Sequence, residues 1–512
     1  MADRSNDWDV VVIGGGHNGL VAAAYLAKAG LRVTVLEAKA QLGGAAVSEQ
    51  VFAGVNARLS RYAYLVSLLP DQIVQDLGLS FHTLRRAVSS YSVGTQDDLL
   101  IWPEGDARNP QNFERLTGNT DEYRAWQSFY DDVGQLARVV APTFLQKLPR
   151  KSDLRRQVGA RVWQSLIETP LGQTLEARFK NDLVRGLILT DGLIGTFAHA
   201  HDFKANCCFL YHVVGNGTGQ WRVPQGGMGA LIDQLLIACK RYGVHIQTNT
   251  AAMSVRKADC WHVRTANCQD LTARFVLANC SPHQLQVLLA NQATGSPMGA
   301  QLKVNMLLKQ LPRLKNGTDS RIAFSGTFHL NESYRQLQHA YAQVQAGQVP
   351  KTIPAEMYCH SLTDPSILSP ELSRQGYHTL TLFALQMHAS LFEKNHNARK
   401  EQVIQQLLAE LNHHLLDPIE SCLAEDARGR PCLEAKTPQE LATELDLPGG
   451  HIFHGDLSMP FREDDQAEAW GVETEHRNLF ICGAGALRGG GVSGIPGHNA
   501  AHAVLEQMNG EI

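Results

Sequence analysis

Residues Asp9–Ala38 read DVVVIGGGHNGLVAAAYLAKAGLRVTVLEA, and the order of their parts decides the fold. Asp9 to Ile13 is a β-branched run suited to a buried parallel strand, and Leu20 to Gly30 is an alanine-rich helical stretch closed by glycine. Between them Gly14 permits a tight bend and Gly16 lets the backbone approach a pyrophosphate. Gly19 lets helix and strand pack closely, so an anion meets the helix N-terminus. A second strand, LRVTVLEA, ends in Glu37, 18 residues after Gly19, where a carboxylate accepts hydrogen bonds from a ribose. Strand, glycine turn, helix, strand and terminal acid in this order predict a Rossmann-type α/β domain that binds a dinucleotide.

This unit alone does not separate NAD from FAD, because both place a pyrophosphate and a ribose here. The following loop, AKAQLGGAAVSEQ at Ala38 to Gln50, carries the doublet Gly43-Gly44. It suggests a second backbone approach to one long cofactor, as an extended FAD requires; a plain turn is the other reading. A further glycine cluster, VVGNGTGQWRVP at Val213 to Pro224, lacks the final glycine spacing and runs into Trp221 and Pro224 instead of a helix, so no second domain for NAD(P)H is expected. Near the C-terminus, NLFICGAG is a strand ending in glycines, and GGGVSGIPGHNAAHAVLEQM is a glycine-rich turn entering a helix, so amide donors face an anionic group there. In the middle, QGGMGALIDQLLIACKRYGVHIQTNTAAMSV reads as turn, helix and strands, and FVLANCSP at Phe275 to Pro282 as a further core strand.

Composition narrows the rest. A chain of 512 residues, 44% hydrophobic and 19% charged, buries a large core and divides into more than one domain. The net charge of −4 gives no electrostatic reason to expect nucleic acid as a partner. Ten cysteines include no C-x-x-C pair, so they read as small buried hydrophobes of a reducing compartment, neither a zinc ribbon nor a redox disulfide. The start, MADRSND, is polar, and no apolar run approaches the roughly 18 residues of a bilayer span. The expected location is cytoplasmic.

Taken together, DVVVIGGGHNGLVAAAYLAKAGLRVTVLEAKAQLGGAAVSE with SRYAYLVSLL, then VPQGGMGALIDQL, DLPGGHIFHGDLSMPF and NLFICGAGALRGGGVSGIPGHNAAHAV, resemble the flavoprotein family that includes phytoene desaturases, carotenoid isomerases and amine oxidases. The resemblance covers both ends and the middle of the chain. It implies FAD as cofactor, with Gly483, Gly485, Gly491 and Val492 as contacts and Ala252 passing the adenine by its backbone. With the opening unit these make a contact set of Gly14, Gly16, Asn18, Gly19, Glu37, Ala38, Lys39, Gly43, Gly44 and Ala45. Many relatives carry an acid just after the last strand; Gly483-Ala484 stands there in this chain, so backbone contact with the ribityl chain is expected.

The flavin does the electronic step itself, leaving the protein to supply orientation, an apolar site and a proton carrier. His454, in GGHIFHGD, is the first candidate catalytic residue, with a structural histidine as the alternative; Arg61, in LSRYAY, is the second, with an ion pair as the alternative. HAHD at His199 to Asp202 lacks a third ligand at diagnostic spacing, so no metal site is assigned. KLPRKSDLRRQVGAR at Lys147 to Arg161 is either a solvated helix face or a basic patch for peripheral contact with anionic lipid, and REDDQAE at Arg462 to Glu468 reads as an exposed acidic loop. The cofactor domain is expected from residues 1–90, 215–300 and 445–512, and a mixed α+β substrate domain from 91–214 and 301–444. The chemistry implied is hydride transfer between a hydrophobic, isoprenoid- or lipid-like substrate and flavin, the electrons leaving to oxygen, a quinone or a protein. A flavin-dependent isomerase without net redox change and a low-turnover flavoprotein with a regulatory role are the alternatives.

Overall fold

The computed structural model describes residues 7–94, 98–292, 295 and 297–510, so the polar lead-in MADRSN lies outside the described residues. The opening unit forms strand β1 (Trp8–Ile13), helix α1 (His17–Lys28) and strand β2 (Val33–Leu36). β1 pairs in parallel with β2 on one side and with the strand Asp270–Ala278 on the other. It is therefore an interior strand with both faces covered. Val10 and Val12 pack against α1 and the helices Gly229–Tyr242 and Ile495–Gly510, while Val11 and Ile13 join Val255, Trp261 and Leu285 on the opposite face. That two-sided burial is why the run is apolar at every position from Val10 to Ile13.

The nine-residue strand Asp270–Ala278 branches this sheet. Its first half pairs antiparallel with Trp261–Thr265, which pairs in turn with Ala252–Lys257; its second half pairs in parallel with Leu479–Ile481. The other edge is His245–Gln247, parallel to β2. Strands near the start, middle and end of the chain thus build one seven-stranded sheet.

A second seven-stranded sheet runs in the spatial order Leu433–Lys436, Leu302–Leu308, His378–Ala384, Ala355–Tyr358, Thr327–Leu330, Ser90–Ser92 and Leu99–Ile101. It is antiparallel except where Thr327–Leu330 meets Ser90–Ser92. Helices between Asn109 and Val214 close a chamber above it, around a core of Phe129, Trp163, Phe179 and Phe209. The longest, Asp121–Val140, buries Phe129, Val133, Leu136 and Val140 at three- and four-residue steps.

The basic and acidic stretches noted in the sequence are partners of each other. Lys147 lies 3.0 Å from Glu468 and Lys151 lies 3.3 Å from Glu463, while Asp464 accepts a hydrogen bond from the Ser152 amide. Arg156 and Arg161 pair with Asp153 and Asp132. The acidic segment is thus a strap across the basic one. No helix among the described residues is long and apolar enough to cross a membrane.

The C-terminal helix crosses α1 at Gly497, where a Cβ would stand 2.1 Å from the Asn18 carbonyl oxygen. Backbone on both sides leaves nothing to yield. Gly497→Ala is expected to cost at least about 1–3 kcal/mol and to lower the thermal midpoint by several degrees, while Gly510→Ala, which meets nothing within 4 Å, leaves it unchanged. Equal melting curves for the two variants would refute the crossing.

Candidate active site

The glycine turn is held from three sides. Gly14 (φ +102°) donates its N–H to Leu36 O at 2.8 Å, and Gly15 donates to Glu37 Oε2 at 2.8 Å. The doublet loop closes on the turn, the Gly43 amide reaching Gly15 O at 2.9 Å. Asn279, just past the strand Asp270–Ala278, donates its backbone N–H to Ile13 O and its side-chain Nδ2 to Gly14 O at 2.9 Å. Gly43 (φ +116°) and Gly44 (φ +58°) take conformations that favour glycine, so the doublet serves the turn itself.

α1 begins at Gly16 without a side-chain cap, so its first amides are open to the cavity beside them. Glu37 uses one carboxylate oxygen for Gly15 and the other for the Lys39 amide at 2.9 Å, and its remaining lone pairs face that cavity. Asn249 and Thr250 donate backbone N–H groups to Lys39 O and Glu37 O, which sets Ala252 on the same wall.

One cavity of about 1190 Å³ takes in most of the positions expected from the sequence. Gly14, Gly16, Asn18, Glu37, Ala38, Lys39, Gly43, Gly44, Ala45, Ala252, Gly491, Val492 and His454 all line it. Gly19, Gly483, Gly485 and Arg61 do not. A Cβ on Gly19 would meet Gly14 O at 2.3 Å, one on Gly483 Asn279 O at 2.7 Å, and one on Gly485 the Pro282 ring at 2.4 Å. These three glycines are spacers between packed backbones behind the cavity. Arg61 is locked between Glu49 at 2.6 Å and Glu434 at 2.5 Å, so its guanidinium serves an ion pair linking the loop to the second sheet.

Three buried polar atoms of cavity-lining residues have no hydrogen-bond partner: His17 Nε2, Asn18 Oδ1 and His454 Nδ1. His454 sits at φ +63°, a left-handed conformation that costs a side chain energy and fixes the ring's position. Burial pushes His17 and His454 down to about 4, with His451 and His17 adding to the effect on His454, so both rings are neutral at pH 7.

The same cavity is lined by the aromatic side chains of Tyr64, Trp126, Tyr130, Trp221, Tyr358 and Phe383, which wall its chamber. Lys303, on the strand Leu302–Leu308, reaches the same space. Its Nζ donates to Ser60 O at 2.9 Å and Tyr62 O at 2.7 Å and lies 4.7 Å from the Tyr64 ring centre. Burial holds its ammonium well below the usual lysine range. Gly15, Asn279 and Lys303 escaped the sequence reading. Only Gly15 carried a local signal, as the middle of GGG.

The sequence matches the model of the family of flavin-containing amine oxidoreductases over residues 19–425. An uncharacterized protein of Mycobacterium tuberculosis is 44% identical over 99% of this chain and 98% of its own length. Pyridine nucleotide-disulfide oxidoreductase domain-containing protein 2 of Mus musculus is 29% identical over 98% of this chain and 94% of its own. Among solved structures, cyclohexylamine oxidase from Brevibacterium oxydans IH-35A has a TM-score of 0.56 at 15% identity, covering 98% of this chain and 100% of that one, a likeness of fold.

The depressed histidines set a pH dependence. In the unfolded chain each titrates near 6.5, in the fold near 4, so the stability they confer is complete above about pH 6.5 and is lost as pH falls through 4, up to about 3 kcal/mol per ring. Thermal unfolding from pH 7.5 to 4 is expected to fall less steeply for His454→Gln than for the wild type. Parallel curves would contradict this.

Proposed function

The chain belongs to the family of flavin-containing amine oxidoreductases and is an FAD-dependent oxidoreductase; from that premise we propose that it moves a hydride between the flavin and an elongated, largely apolar substrate lying in the aromatic chamber. The observation that carries this reading is the continuity of one cavity from the glycine turn to the chamber. Its volume of about 1190 Å³ exceeds the roughly 300–1,000 Å³ of an ordinary small-ligand pocket, which leaves space for a substrate beside a dinucleotide.

The residues present fit the cofactor. Uncapped amides at the start of α1 suit a pyrophosphate, the free lone pairs of Glu37 suit ribose hydroxyls, and the wall at Ala252 suits an adenine. The orphaned atoms of His17, Asn18 and His454 are polar groups that a bound flavin nucleotide would satisfy, and leaving them unmet costs about 1–3 kcal/mol each. Bound FAD supplies a two-electron centre for the hydride.

Around that centre the chain's own side chains orient the substrate and keep water out. Trp126, Tyr130 and Phe383 give flat apolar contact to a long hydrocarbon body, which favours an isoprenoid- or lipid-like molecule. His454, neutral and unpartnered at Nδ1, is placed to accept or return a proton as the substrate loses or gains its hydride. Lys303, whose ammonium burial makes readier than usual to give up its proton beside Tyr64, is a second proton holder in the same cavity.

A substrate screen under nitrogen tests this. Isoprenoids, fatty acyl compounds and amines are each mixed with the yellow protein, and flavin bleaching is followed; oxygen, a quinone or a carrier protein is then added to see which restores the colour. An isoprenoid or lipid is expected to bleach the flavin, and Trp126→Ala to lower kcat/KM for it about 10–100-fold while the flavin spectrum is kept, because about 1.5–3 kcal/mol of apolar contact is lost. Bleaching by amines alone would sink the substrate reading.

A further inference from the structure

Against the chamber lies a group of ionisable side chains that the flavin chemistry does not use. His329 and Glu356 are directly opposed on adjacent strands, Thr327–Leu330 and Ala355–Tyr358, so both side chains leave the same face of the sheet. The chain then turns at Asn331 (φ +58°), which brings Glu332 back against the His329 ring, its Oε2 bonded to Nδ1. One ligand atom from each of His329, Glu332 and Glu356 lies within 4.8 Å of the others, and all three residues are buried. Asp191, following the helix Asp182–Thr190, and Arg86 stand close enough for their charges to act on the group.

Two observations say that the group is incomplete. Glu332 Oε1 has no hydrogen-bond partner although its side chain is fully buried. When ionised, Asp191, Glu332 and Glu356 carry three negative charges against the one positive charge of Arg86, an excess of two in a region of low dielectric.

We propose that His329, Glu332 and Glu356 bind one divalent transition-metal cation beside the chamber, with Asp191 balancing its charge. One imidazole and two carboxylates form a donor set for Zn²⁺, Mn²⁺ or Fe²⁺. Glu332 stands behind the chamber wall, whereas His329 and Glu356 line it, so a small ion between the three reaches every ligand while the ammonium of an organic molecule in the chamber does not reach Glu332. The bound ion would clamp two strands of the second sheet and present its open positions to the chamber. This site lies outside the flavin-binding set, and its test reads metal and not turnover.

Flavin-loaded protein is dialysed against a chelator and then against Zn²⁺ or Mn²⁺, and the retained metal is counted by mass spectrometry. The expectation is about one equivalent in the wild type and at least a tenfold loss of affinity in Glu332→Gln and in Glu356→Gln, with His199→Ala unchanged. Should a carboxylate variant lose its fold, the wild type decides: bound Mn²⁺ is expected to show nitrogen hyperfine coupling from the His329 ring in its electron spin resonance spectrum. Retention far below one equivalent, uptake indifferent to both glutamate variants, or bound Mn²⁺ without nitrogen coupling would each overturn the proposal.

Discussion

Everything in the cofactor half of this molecule follows from a few backbones brought closer together than side chains allow. At Gly14 to Gly19 the end of β1, the start of α1, the doublet loop and Asn279 converge, and a Cβ at Gly19 would stand 2.3 Å from Gly14 O. Because no side chain fills this volume, the amides at the start of α1 stay open to the cavity instead of being capped. The same closeness fixes Glu37, whose two oxygens each take one amide hydrogen bond and so hold the carboxylate at the cavity wall. The open donors of the site are thus a property of main chain, set by what is missing from the side chains.

The second half is organised by electrostatics in a dry place. Lys303, His329, Glu332 and Glu356 are all buried around the chamber, and the second sheet places every one of them on or just past its strands. Burial raises the carboxyl groups and depresses the lysine and the histidines, so the groups near the chamber tend toward their neutral forms.

How much of this was legible from the residues depends on the range of the interaction. β1, α1 and β2 could be read because their signals are local: an apolar run, a glycine spacing and a terminal acid within 30 residues. The helix Asp121–Val140 and the strand His378–Ala384 also follow from short-range periodicity. Asn279 could not be read, since its role is a hydrogen bond to Gly14, 265 residues away. The pairing of His329 with Glu356 is likewise a matter of strand register, which no window of sequence contains. Glycines are legible as glycines but not by purpose: Gly483 and Gly485 are spacers against Asn279 and Pro282, while Gly491 opens on the cavity. The basic and acidic stretches around Lys151 and Glu463 looked like separate surfaces because 312 residues separate the two partners.

The branched strand Asp270–Ala278 carries a consequence for how the protein comes into being. During translation β1 leaves the ribosome some 260 residues before its neighbour on one side, and Leu479–Ile481, which completes the branch, follows about 200 residues after that neighbour. Until then the nascent chain holds a largely apolar interior strand with an unsatisfied edge. The edge of β1 therefore stays open until Asp270–Ala278 has been made, and the branch closes only after Leu479–Ile481 has followed it.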